Sequence, residues 1–156
     1  MIVAESKIQG LSLKKVVRYW DERGDFRELV RASDPKFQGF AQLSTSVVYS
    51  GISKAWHLHH DQTESMTSVL GVVKFAFSDR RPDSPTFKVT EDYLVDATLN
   101  PLVFTVPAGV AHGYRVIAGP AVICYLTNRV YDPADQLKIP HDDPDINYDW
   151  GPPKIV

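Results

Sequence analysis

No segment of the 156-residue chain sustains the apolar period of 3.6 that marks an amphipathic helix. Short runs rich in β-branched and aromatic residues recur instead, cut by glycine- and proline-bearing turns. Leu11–Trp20 (LSLKKVVRYW) reads as a strand entering a turn at Asp21-Glu22-Arg23-Gly24, whereas Phe26–Arg31 is short and ambiguous. Ala32-Ser33-Asp34-Pro35 reads as a loop. Beyond it the pattern predicts strands at Phe40–Ser44, Ser46–Tyr49, Lys54–His59, Met66–Phe77, Leu102–Val106, Gly113–Ile117 and Val122–Asn128. Asp79–Pro85, Asn100-Pro101, Pro107–Val110 and Ala118-Gly119-Pro120 carry turn chemistry. Many short strands separated in this way predict an all-β sandwich or barrel. The tail, Asp132–Val156, is rich in Asp and Pro but holds Ile139, Ile146, Tyr148 and Trp150. That is too apolar for a solvated tail, and it reads as an irregular strap across the barrel or against a partner subunit.

Composition narrows the function classes. Hydrophobic residues make up 44% and charged residues 23%, as in ordinary globular domains, and the length fits one domain. A net charge of −2 without a basic block points away from nucleic acid and anionic membranes. No apolar run approaches the roughly 20 residues of a membrane helix, and MIVAESKIQG lacks the pattern of a signal peptide. The single cysteine, Cys124, stands among Val122, Ile123 and Tyr125; it reads as a packed thiol in a protein of the reducing cytoplasm.

The chemistry concentrates in Gly51–Gly71, GISKAWHLHHDQTESMTSVLG. Residues two apart in a strand share a face, so His57 and His59 project together while His60 points away. Glu64 lies just beyond a turn, and His112 follows a tight turn at Pro107-Ala108-Gly109. His57, His59, Glu64 and His112 form a donor set suited to a divalent transition metal (Fe, Mn, Ni or Zn) with positions left open; histidine equally suits a general base, with no cofactor at all. His60 and His141 read as surface residues, and Trp20, Trp56 and Trp150 as packing, although Trp56 beside His57 has a place to line a pocket.

Gly51, His57-Leu58-His59, Glu64 and Gly71, with Pro107 through His112, resemble the two motifs of the cupin superfamily; Pro101 stands where a glycine is usual. That resemblance implies a cupin jelly-roll β-barrel with a metal held by His57, His59, Glu64 and His112. A narrower resemblance runs along nearly the whole chain. Asp21-Glu22-Arg23-Gly24 with Phe26 and Glu28, Ser84-Pro85-Thr86-Phe87, Ala111-His112-Gly113-Tyr114, Tyr125 with Tyr131, Asp142-Asp143-Pro144 and Tyr148-Asp149-Trp150 resemble, in order, the dTDP-4-dehydrorhamnose 3,5-epimerase family. It implies a homodimer binding a nucleotide-linked 4-keto sugar, with His57 as general base and Tyr125 as proton-donating acid. Substrate contacts are implied for Lys54, Gln42, His112 and Tyr131, and for Arg23, Phe26 and Glu28 reaching the nucleotide from the neighbouring subunit. By the same resemblance, residues 1–50 form the N-terminal strands and the dimer and nucleotide region, 51–131 the barrel, and 132–156 the strap.

The sequence departs from that family in three places. Glu64 stands where a lysine is usual, His59 where histidine is not, and this sequence stops at Val156, before the place where the family carries the aspartate that orients the base histidine. His57 cannot serve at once as free base and metal ligand. Two further readings therefore accompany the epimerase: a metal-dependent cupin acting on another small molecule, and a silent protein that binds a nucleotide sugar.

Overall fold

The computed structural model describes residues 3–152. Its strands, in chain order, are β1 Val3–Glu5, β2 Ser12–Lys15, β3 Arg18–Asp21, β4 Gly24–Arg27, β5 Gln42–Val48, β6 Ser53–His59, β7 Glu64–Asp79, β8 Thr90–Asp96, β9 Leu102–Val106, β10 Val110–Thr127 and β11 Gln136–Lys138. There is no helix among the described residues, and their strand pairings are antiparallel. The all-β expectation holds.

Two long strands make the spine. β7 and β10 pair from Val110↔Asp79 to Thr127↔Glu64. The first part of β7 also pairs with β9 and its later part with β8. In the same way β10 serves β6 through His112–Arg115 and β5 through Ala121–Thr127. Each spine strand thus passes from one sheet face to the other. β7 manages this at Gly71, whose φ is 86°. A Cβ there would lie 2.8 Å from the Ala118 carbonyl oxygen, so the bend requires glycine.

Val73, Phe75 and Phe77 alternate inward along β7 and are fully buried. Their rings meet Phe104 of β9, with centroids 5.1 Å from Phe75 and 4.9 Å from Phe77. A second apolar cluster lies between β6 and the tail, where Trp56 and Leu58 pack with Ile146 and Trp150. Trp56 therefore sits under the tail and does not line the pocket. The backbone of Ile139 exchanges hydrogen bonds with that of Trp56, and the tail lies along β6 as a strap. Residues 153–156 of the predicted strap lie outside the described residues.

Several predicted boundaries change. Phe40–Ser44 and Ser46–Tyr49 merge into β5, because Thr45 continues the ladder opposite Cys124. Leu11–Trp20 divides at Val16, whose amide bonds the Pro101 carbonyl and sends the chain into a separate β3–β4 hairpin. The Ala118-Gly119-Pro120 turn is absorbed into β10 as register shifts between Val116 and Val122. Three strands, β1, β8 and β11, have no counterpart in the pattern-based prediction.

Candidate active site

The site is built where β5, β6, β7 and β10 converge. Along β6 the two-residue period sends His57 and His59 to one face, opposite Trp56 and Leu58. The β6–β10 register sets His112 across from His57, and the β7–β10 register sets Tyr125 beside Met66 and Thr127 beside Glu64. These side chains line a cavity of about 360 Å³. Of the residues expected at the site, His57, His59, Glu64, His112, Tyr125, Gln42, Lys54 and Tyr131 all line it.

Arg23, Phe26 and Glu28 do not line the cavity of their own chain. Arg23 and Phe26 stand on the β3–β4 hairpin, where Phe26 is 64% exposed and the Arg23 amide is held by Asp21 at 2.8 Å. Glu28, just past the hairpin, pairs with Arg31.

The four expected metal donors separate into three and one. Donor atoms of His59, Glu64 and His112 lie within 4.8 Å of one another, and all three residues are buried. His112 donates from Nδ1 to the Val110 carbonyl at 3.1 Å, and the Asp135 carboxylate stands 3.6 Å from Nδ1 of His59. Both rings therefore turn Nε2 toward Glu64, each 3.7 Å from a carboxylate oxygen. Oxygen partners on the far nitrogens of two converging imidazoles are the outer shell that metal-binding histidines use. Glu64 Oε1 is buried without a hydrogen-bond partner, which a cation would remedy. The residues present fit a divalent metal held by His59, Glu64 and His112.

His57 stands apart from this group. Its Nδ1 accepts from the side-chain amide nitrogen of Gln136 at 2.6 Å. Burial, and next the neighbouring His112, push its pKa down to about 4, so the ring is neutral at pH 7. Burial also lowers His112. For Glu64 burial works upward, but the adjacent imidazoles of His59, His112 and His57 prevail and hold it below the usual carboxylate range. Tyr125 is raised by burial and then by Tyr114, whose hydroxyl lies 2.7 Å from its own. The phenol thus keeps its proton and is available as a donor.

Sequence reasoning missed Ser44, Ser46, Gln62, Tyr114 and Gln136 in the lining. Ser44 and Ser46 follow Gln42 at the strand period, a signal present in the sequence. Gln136 reaches the cavity only through the pairing of β11 with β6, which no local pattern announces.

Residues 5–156 match the family model of dTDP-4-dehydrorhamnose 3,5-epimerase. The spore coat polysaccharide biosynthesis protein SpsL of Bacillus subtilis is 38% identical over 147 residues, covering 92% of this chain and 97% of the relative. A dTDP-4-dehydrorhamnose 3,5-epimerase of Streptomyces griseus is 30% identical over 154 residues, covering 92% of this chain and 74% of the relative. Among solved structures, the dTDP-6-deoxy-D-glucose-3,5-epimerase of Legionella pneumophila, in complex with dTDP-4-keto-L-rhamnose, superposes with a TM-score of 0.87 at 26% identity. That superposition covers 96% of this chain and 82% of the other. The barrel is a jelly roll of this type.

Proposed function

The chain belongs to the dTDP-4-dehydrorhamnose 3,5-epimerase family, and from that premise we propose that it epimerises a nucleotide-linked 4-keto-6-deoxy sugar, with His57 as base and Tyr125 as acid. The observation that carries this is the shared cavity: a neutral, half-buried imidazole on β6 and a protonated phenol on β10 line the same space.

A hydrogen on carbon next to a ketone is acidic because the electron pair left behind spreads onto the ketone oxygen. His57 removes that proton, and Tyr125 returns one to the opposite sugar face, inverting the centre. An anionic diphosphate entering the cavity raises the basicity of His57 from its low resting value. Lys54, at the lining, is placed to meet that charge. Gln42 anchors the adjoining loop by accepting from the Tyr131 amide at 2.9 Å, and both residues face the same substrate space.

Glu64 introduces a carboxylate where negative charge develops on the substrate. A divalent metal on His59, Glu64 and His112, among Fe, Mn, Ni and Zn, supplies Lewis-acid stabilisation of such an oxygen when bound. His57 lies outside this donor group, and so the base and the ligand roles fall on different residues.

A homodimer accounts for the β3–β4 hairpin. Trp20 and Phe26 are 65% and 64% exposed there, and Arg23 projects beside them. Delivered to the cavity of a partner subunit, Arg23, Phe26 and Glu28 would meet the nucleotide. Work in the cytoplasm accords with the single free thiol of Cys124.

The test is product stereochemistry. Purified protein is incubated with dTDP-4-keto-6-deoxyglucose and the sugar ring is followed by NMR. Epimers inverted at C3, C5 or both are expected. Unchanged substrate with wild-type protein would overturn the assignment.

A further inference from the structure

We propose that Tyr114 is a positioning residue for Tyr125, holding its hydroxyl where the proton reaches the sugar face opposite His57; this rests on the reading of Tyr125 as acid. The two tyrosines stand eleven residues apart on β10, on either side of the register shifts between Val116 and Val122. One half of the strand carries Tyr114 opposite Lys54 of β6, and the other carries Tyr125 opposite Ser44 of β5. The bend between them brings the two hydroxyls to 2.7 Å in the wall of the cavity.

The two rings are unequally packed. Tyr114 is 3% exposed, its ring set against Phe75 with centroids 5.9 Å apart, whereas Tyr125 is only half-buried. The buried ring is the fixed member, and the hydrogen bond passes its fixity to the Tyr125 oxygen. An acid that inverts a centre needs this, since a proton returned from the wrong side restores the starting configuration.

Each phenol has one proton to give and lone pairs with which to accept. When the Tyr125 proton is aimed at the sugar, the bond within the pair must come from Tyr114. The Tyr125 O–H then breaks as the enolate electron pair forms the new carbon–hydrogen bond. The Tyr125 oxygen keeps the O–H electrons and still accepts from Tyr114, which changes no bond. After turnover the proton gained by His57 is lost to solvent and Tyr125 regains one, so none is consumed.

The experiment follows dTDP-4-keto-6-deoxyglucose in D₂O by NMR with intact wild type, Tyr114→Phe, Tyr125→Phe and the double variant. Deuterium uptake next to the ketone reports proton removal, and new stereochemistry reports return from the opposite face. Tyr114→Phe is expected to take up deuterium at the wild-type rate with KM held, yet to form inverted product about 10-fold more slowly. The double variant is expected to invert no more slowly than Tyr125→Phe alone, because Tyr114 acts through Tyr125. Exchange and inversion falling together in Tyr114→Phe overturns the proposal, as does unchanged inversion, or a double variant slower by that same further factor. A second readout needs no turnover: in protein labelled with ¹³C at tyrosine Cζ, the Tyr125 signal should move in Tyr114→Phe. A Tyr125 signal that stays in place overturns the proposal. If it moves but wild type neither exchanges nor inverts the sugar, the positioning contact stands and the epimerase reading falls.

Discussion

At the scale of single residues, the structure groups His59, Glu64 and His112 and leaves His57 apart from them. His57 and His59 are two apart on one strand face, which the alternation of β6 made legible. Their separate surroundings were not legible, because these depend on what each Nδ1 meets: the Gln136 amide for His57, the Asp135 carboxylate for His59. Metal analysis of protein purified without added metal should find a near-stoichiometric divalent transition metal, lost in His59→Ala. Retention of that metal by His59→Ala, or its absence from wild type, would contradict the assignment of His59, Glu64 and His112. Tyr125→Phe should still exchange the abstracted proton with solvent yet form inverted product about 100-fold more slowly, measurable by NMR of the sugar ring.

One residue outside the cavity has a clear energetic role. Asp79, at the end of β7, has a fully buried carboxylate that accepts from Arg81 Nε and Nη2 at 2.8 Å each, and from Ser84 and Thr86 at 2.6 Å each. Burial pushes its pKa up, but these bonds more than offset that and hold it well below the ordinary value of 3.8. The unfolded chain therefore binds a proton near pH 4 that the folded chain refuses. Stability from Asp79 is complete above that pH and is lost as pH falls toward the folded value. Asp79→Asn should cost about 2–3 kcal/mol at pH 7 and flatten the acid limb of a chemical-denaturation series. A variant with the same acid limb as wild type would contradict this.

At the scale of elements, the barrel strands were readable where burial imposes a pattern. Leu102–Val106 was predicted with its observed bounds, and the face of β6 came from alternation alone. β8 escaped because its acidic residues Glu91, Asp92 and Asp96 obscure the inward Tyr93 and Val95. β11 escaped because three residues in an Asp- and Pro-rich tail become a strand only by pairing with β6. The tail is nonetheless fastened by an apolar contact that its composition foretold. Trp150 is buried against Trp56, with ring centroids 4.8 Å apart. Trp150→Ala should destabilise the protein by about 3–5 kcal/mol in denaturant titration. Because the same tail carries Gln136, activity should fall at temperatures where the fold persists. A neutral change in stability would show that the strap is not packed as described.

At the scale of the whole molecule, the jelly roll and the family were both legible, since motifs from the Asp21–Gly24 turn to Trp150 keep their order across the matched residues 5–156. The homodimer is expected from the family resemblance alone, because an interface would leave only exposed apolar residues in one chain. Tyr19, Trp20 and Phe26 on one hairpin, Leu43 and Val47 on β5, and Tyr49 just past it are exposed in the single chain. Sedimentation should show a dimer, and Arg23→Ala should raise KM for the nucleotide sugar with kcat little changed. A monomer at full activity would remove the shared-site account. The central claim is that His57 takes the proton, and solvent exchange tests it most directly. The measurement is deuterium uptake next to the ketone of dTDP-4-keto-6-deoxyglucose in D₂O, wild type beside His57→Asn. Uptake by wild type and none above background by His57→Asn is the predicted result. Equal uptake by the two proteins, or none by wild type, would contradict it.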